Sequence, residues 1–377
     1  MRLVPIECVQ EGTYLAKTIY DNDGRVLLRE GVKLTDLFIS RIKYINILSI
    51  YIHDEYSDNV IEDVIKPELR QKAIKTIKDT FTSFEKYNMN ISSRSINPNS
   101  KNDFIKERQG YFDSIGKIAE DIMDELLSKK NILVNIVDIK SLDNYTYQHS
   151  VNVAVLSLVI GLQLKLNTYD LYNLCMGALM HDVGKVFVPK EIIQKHDKLT
   201  NKEFELVKEH SKAGYDYLKG SVDISVQSRI IALQHHEREN GQGYPDGRKG
   251  SDINKLSKIV AVADVYDALT SDRPQRRALS PNEALEYIMG AGGSLFDYEI
   301  VRAFSLVAIP YPEGTLIKLS NGDIAVVQEL NLTYPLRPKV KIVKSIDFTS
   351  KPHFVDLMST LDLVIQGVQY DIGEFPK

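Results

Sequence analysis

Apolar residues recur at helical spacing through the middle of the chain and at strand spacing towards both ends, and this alternation predicts the organisation. Near the start, TYLAKTI and RVLLREG flank Tyr20-Asp-Asn-Asp-Gly24, which predicts a hairpin turn. Thr35 to Tyr44 has a helical period and ILSIYIH reads as a strand. Residues 1–58 are therefore expected to form a small α+β domain. Residues 59–114 are polar and charged, with a helical period on either side of the Asn- and Ser-rich NMNISSRSINPNSKN, and read as a solvated helical linker. From 115 to 305 the pattern is helical almost throughout, with turns at Asn167, Lys195 to Thr200 and Glu239 to Asp252. Beyond it GTLIKLS, IAVVQEL, PKVKIVKS and LDLVIQGV are strand-like, with a hairpin turn at Asn321-Gly322. Residues 306–377 are expected to form a C-terminal all-β domain. The fold class is thus multidomain, with a central all-α domain between small α+β and all-β domains.

Composition narrows the class. A chain of 377 residues exceeds one ordinary core. The longest apolar run, Val151 to Leu162, is short and interrupted by Asn152 and Ser157, so it does not suit a bilayer. The opening MRLVPIECVQEG has no signal-peptide core. Two cysteines, Cys8 and Cys175, have neither ligand-like nor disulfide-like spacing and are expected as reduced, buried thiols of a cytoplasmic protein. The net charge of −4 argues against broad binding of a nucleic-acid polymer but permits a local basic pocket.

The histidines change the picture. Six of the eight lie between residues 149 and 236. His196 falls in the polar turn KHDKLT and reads as solvated. His149, His181, His210, His235 and His236 mostly sit at the ends or faces of apolar helical runs, where a polar ring is unusual. Asp182, in LMHDVGK, and Asp264, in KIVAVADVYDAL, have equally apolar neighbours. One such ring is ordinarily a hydrogen-bonded core residue. Five rings and two acids in one helical region would make a fragile network by themselves, and divalent metal is the simplest partner that satisfies them all. Adjacent helical residues point about 100° apart. His181 and Asp182 therefore cannot easily grip one ion from one side. Asp182 has two oxygens and suits a bridge between two ions, with His181 on one of them. His235 and His236 are expected to diverge in the same way. Two such ions can bind a bridging hydroxide and clamp a phosphoryl oxygen. Nitrogen and carboxylate ligands without thiolate favour iron or manganese over structural zinc.

Asn144-Tyr-Thr-Tyr-Gln-His149-Ser, His181-Asp182-Val-Gly-Lys185, His210, His235-His236-Glu237-Arg238, Gly243-Tyr244-Pro245 and Val262-Ala-Asp264-Val-Tyr-Asp267-Ala-Leu-Thr-Ser-Asp-Arg273-Pro resemble the HD-GYP family, a branch of the HD metallohydrolases that includes cyclic di-GMP phosphodiesterases. The resemblance covers about residues 115–305. It implies an HD-type helical domain with His149, His181, Asp182, His210, His235, His236 and Asp264 as metal ligands. It implies that Lys185 contacts the scissile phosphate; an ammonium beside Asp182 is also placed to offset developing charge. It implies that basic residues at Arg273 and Arg276 hold substrate phosphate, and that the loop of Tyr244 helps bind the dinucleotide. The family's alternative third-metal glutamate is here Tyr145, so two divalent ions are expected, with linear pGpG as main product. Asn240 and Gln275 replace a usual aspartate and tyrosine, which bears on substrate affinity. The expected activity is metal-dependent hydrolysis of cyclic di-GMP. A catalytically weak cyclic di-GMP sensor and an HD phosphohydrolase acting on another nucleotide are the alternatives. The flanking regions are candidates for regulation, homodimerisation or partner binding, and none carries a chemical motif.

Overall fold

The computed structural model describes residues 1–21, 25–45, 47–57, 63–92, 98–129, 145–193, 195, 197–221, 223–271, 278–331, 333–346 and 352–370, with the backbone alone at 87–92, 98–107 and 145. It is mostly helical and ends in an all-β sheet. At the N-terminus β1 (Arg2–Pro5), β5 (Ser49–His53) and β2 (Tyr14–Leu15) form an antiparallel sheet in the order β1-β5-β2. β3 (Ile19–Tyr20) and β4 (Val26–Leu28) pair separately across the expected turn, whose residues 22–24 lie outside the described set. The helix α1 (Asp36–Tyr44) starts at Thr35, whose side chain accepts from the Phe38 amide. Its Ile39 and Ile42 face a separate apolar cluster with Leu15, Leu34 and Ile50. Cys8 is exposed rather than buried, because the short 3-10 turn Ile6–Cys8 turns Ile6 inward in its place; Cys175 is buried.

The helices α2 (Pro67–Ser92) and α3 (Pro98–Leu127) differ from the solvated connection expected of residues 59–114. Ile74, Ile77, Phe81, Phe84 and Phe112 lie in one apolar cluster with Val155, Leu179 and Ile259 of the central helices. The Phe84 ring stands 4.7 Å from that of Tyr217. Among the described residues Lys72, Lys75, Asp113 and Lys117 lie on exposed faces, and the expected division at 114/115 falls inside α3. Around this core run α4 (Tyr145–Gln163), α5 (Thr168–Met180), α6 (Lys190–Ile193), α7 (Asn201–Lys219), α8 (Val226–Gln234), α9 (Lys255–Leu269), α10 (Pro281–Gly290) and α11 (Tyr298–Ser305). α4, α5 and α9 are apolar nearly all round, as helices enclosed by others must be.

The last sheet has the antiparallel order β10-β6-β7-β8-β9, from β6 (Leu316–Leu319), β7 (Ile324–Glu329), β8 (Lys339–Lys344), β9 (His353–Asp356) and β10 (Ile365–Val368). Gly322, at φ +89°, closes the β6–β7 hairpin. One face carries its own apolar cluster, and the other packs Leu316, Ile324 and Val326 against Tyr56. Among the described residues no helix is long and apolar enough to cross a membrane.

Candidate metal centre

Helices α4, α5, α7, α8 and α9 bring the seven expected ligands together, α5 and α8 through their C-terminal ends. His149 lies in the first turns of α4. His181 caps the C-terminus of α5, and Asp182 opens the 3-10 turn Val183–Phe187. His210 lies on α7. His235 caps the C-terminus of α8 with His236 just beyond, and Asp264 lies on α9. Two groups of donors result, each with its atoms within 4.8 Å of one another: Asp182, His210, His235 and His236, and His149, His181 and Asp264. The carboxylate of Asp182 stands between them. Its Oδ1 is 3.4 Å from His210 Nε2 and 3.9 Å from His235 Nε2, while its Oδ2 is 3.4 Å from His181 Nε2 and 4.0 Å from His149 Nε2. His235 and His236 share one donor group, with ring centroids 4.0 Å apart at 44°, and His236 Nδ1 also stands 3.8 Å from Asp264 Oδ2 of the other group.

Local backbone aims the rings. The Nδ1 atoms of His181, His210 and His235 stand 2.7, 2.6 and 3.0 Å from the carbonyl oxygens of Ala178, Val207 and Ala232, three residues back. A carbonyl only accepts, so each Nδ1 carries the hydrogen and each Nε2 presents a lone pair to the cavity. His149 Nδ1 instead meets the buried carboxylate of Asp267 at 2.7 Å, and Asp267 also accepts from Asn152 at 2.9 Å. Asn152 in turn accepts from Arg70 of α2 at 2.6 Å. Gly184 explains the glycine of HDVGK: a Cβ there would lie 1.9 Å from the His210 carbonyl oxygen, so only glycine lets α7 approach Asp182.

Charge follows burial and neighbours. Burial alone would raise the Asp182 carboxyl, but Lys185 and His181 hold it well below the usual range. Asp264 is likewise held low by His149 against the cost of burial. Burial lowers His210, takes His235 down to about 3 with help from His181 and His210, and puts His236 well below its ordinary value. Burial opposes charge on His149 too, yet its bonds to Asp264 and Asp267 prevail and raise it to about 9.

The donors fit divalent cations. His210 and His235 are held neutral with their Nε2 lone pairs 3.3 Å apart, an arrangement that calls for a positive species between them. His181 Nε2 and Asp182 Oδ1 are buried without a hydrogen-bond partner. Desolvation makes such atoms costly unless something satisfies them.

Lys185 reaches back to Asp182 Oδ2 at 2.5 Å and is about a third exposed, at the edge of the cavity. Tyr244 lies against the centre: its ring is 4.6 Å from that of His236, and burial pushes its hydroxyl up, so it stays a phenol. Gly243 lets its loop touch the 236–238 backbone, where a Cβ would meet the His236 oxygen at 2.5 Å. The buried Glu237 pins the loop, accepting from the amides of Asp246 and Arg248, both at 2.9 Å. Arg273, Arg276 and His196 lie outside the described residues, as does the Tyr145 side chain. Asp267, Asn152 and Glu237 carry roles that the residue pattern did not assign. The available signal for Asp267 is its i+3 spacing from Asp264 on an apolar helix, which puts both acids towards one side.

Residues 131–300 match the family described as the HD domain, and residues 316–369 match a KOW domain associated with HD domain. The chain is 38% identical over 228 residues to a cyclic di-GMP phosphodiesterase of Pseudomonas aeruginosa, covering 59% of this chain and 55% of that protein. It is 43% identical over 152 residues to the cyclic di-GMP phosphodiesterase response regulator RpfG of Xanthomonas campestris, covering 39% and 40%. It is 38% identical over 163 residues to 3′3′-cGAMP-specific phosphodiesterase 1 of Vibrio cholerae, covering 43% and 37%. The chain thus spans about half, or less, of the length of these relatives.

Proposed function

The chain belongs to the HD-GYP family, and from that premise we propose that it is a cytoplasmic, metal-dependent phosphodiesterase that opens cyclic di-GMP to linear pGpG. The observation that carries this reading is the carboxylate of Asp182 with one oxygen turned to each ligand group. His149, His181 and Asp264 would hold one ion, and His210, His235 and His236 the other, with Asp182 shared. The donor chemistry favours iron or manganese. Such a pair of ions supplies Lewis acidity at the phosphoryl oxygens and hydroxide at neutral pH.

The chain's own residues do the rest. Lys185 offers its ammonium to the scissile phosphate, where negative charge grows as the new P–O bond forms and the P–O3′ bond breaks. The leaving 3′ oxygen takes up the proton that water gives, so one molecule of water is consumed. Asp267 and the helix carbonyls keep the imidazoles in one orientation and one tautomer. Tyr244 and the pinned loop form a lip over the reacting phosphate. Arg273 and Arg276 are assigned to the substrate's phosphates by guanidinium–phosphate pairing. One cleavage is favoured because Tyr145 leaves no carboxylate there for a third ion.

Purified protein supplied anaerobically with Fe²⁺ or Mn²⁺ is expected to convert cyclic di-GMP to pGpG, read by chromatography. Asp182→Ala is expected to lose more than about 100-fold of that rate, since it strips a ligand from both groups. Unaltered turnover by this variant would defeat the proposal. The likeness to a cGAMP-specific relative favours 3′3′-cGAMP as a second substrate, and a side-by-side comparison of kcat/KM decides between them.

A further inference from the structure

A series of rings leads outward from the centre. Tyr244 stacks at 34° on His236, and Phe204 of α7 meets Tyr244 at 6.4 Å and 82°. Phe204 ends the series, and it is 45% exposed although it follows Glu203 and precedes Glu205 on a charged helix. Lys208, one turn along α7, holds its ammonium 4.9 Å from the Phe204 ring centre and 5.8 Å from that of Tyr244. Its partner is Glu205 at 2.7 Å, a carboxylate 69% exposed, so that pair is weak and readily exchanged.

We propose that Phe204 and Lys208 form a nucleobase subsite for guanine at the mouth of the metal centre. The proposal rests on the phosphodiesterase reading and names its substrate class. A dinucleotide with one phosphate at Asp182 and Lys185 has a base only one ribose away, at the lip that Tyr244 forms. An exposed aromatic ring offers that base a stacking surface, which every base accepts. The cation beside it selects. Guanine presents two acceptors, N7 and O6, on one edge, whereas adenine replaces one of them with a donor. Lys208 therefore favours guanine, and its charge also suits the anionic phosphates.

Two measurements test the subsite. The first compares kcat/KM for cyclic di-GMP with that for methyl p-nitrophenyl phosphate, a diester with no nucleobase. Phe204→Leu keeps apolar bulk against Tyr244 but removes the ring; the ratio is expected to fall about tenfold, through KM, and to recover in Phe204→Trp. Lys208→Met is expected to narrow the preference for cyclic di-GMP over cyclic di-AMP by a similar factor. The second measurement needs no turnover. A cyclic dinucleotide carrying 2-aminopurine should lose fluorescence on binding the wild-type protein and lose less on binding Phe204→Leu. An unchanged ratio together with unchanged quenching overturns the subsite. Quenching that depends on Phe204 in a protein inert towards both diesters upholds the subsite and overturns the phosphodiesterase reading instead.

Discussion

Asp267 lies behind the proposed ligands rather than among them, and it acts on them through its contact with His149. Its carboxylate fixes the Nδ1 side of that ring and so the direction of Nε2. Asp267→Asn keeps the shape and removes the charge. Metal affinity is expected to fall about 10–100-fold, read by calorimetric titration, with the helical circular dichroism unchanged. An unchanged affinity would show that ring orientation does not depend on this carboxylate. The seven donors themselves were legible as residues, because imidazoles and acids in apolar surroundings need an explanation wherever they occur. Asp267 was not, because linear sequence does not distinguish a buried acid that faces a ligand from one that faces a ligand's back. Gly184 shows the same limit: the glycine is plain in HDVGK, but its reason is the His210 carbonyl from a helix some twenty-five residues further on.

Helix ends shape the centre at the scale of the element. His181 and His235 occupy the C-caps of α5 and α8, with Asp182 and His236 just beyond them, and all four reach one cavity. At the other end of α7, Thr200 and Glu203 form a capping box, with the Thr200 amide donating to Glu203 Oε2 at 2.7 Å. Lys195 and Thr200 lower the Glu203 carboxyl to about 2 from its ordinary 4.5. A carboxylate depressed in this way stabilises the fold above its unfolded value and loses that contribution as pH falls through its folded one. Fraying of the first turn of α7 is therefore expected between about pH 4.5 and 2, seen as faster amide exchange at residues 201–204. Thr200→Ala is expected to cost about 1 kcal/mol by thermal or urea unfolding. Phe204 rides on that turn, so the same variant should weaken dinucleotide binding. If exchange there does not respond to acid, the box does not hold the turn. The capping pattern Thr-Asn-Lys-Glu is readable in the sequence; the approach of the adjoining Phe204 to Tyr244 is not.

The whole molecule joins its two ends. Tyr56 packs on Leu316, Ile324 and Val326 of the last sheet, and Arg2 donates to the Tyr370 carbonyl at 3.1 Å. The candidate metal centre draws its seven His and Asp side chains from helices α4, α5, α7, α8 and α9 and from the ends of two of them. The two regions should therefore respond separately. Tyr56→Ala is expected to cost about 1–2 kcal/mol and to expose residues 316–370 to protease, while metal content stays the same. Loss of metal in that variant would mean that the end-to-end contact supports the centre. A different link does reach inward: Arg70 on α2 touches Asn152, and through it Asp267. The N-terminal helices are thus tied by hydrogen bonds to the base of the site.

The sequence by itself determined the element types, the ring and acid inventory and the family pattern. Hydrophobic period, turn residues and apolar flanks are local properties, readable one window at a time. Only the tertiary structure decided which donors share a cavity, which oxygen of Asp182 meets which ring, and that α2 and α3 belong to the central core. Those outcomes depend on contacts between residues far apart in the chain, which the packing of one helix on another sets and no local window records.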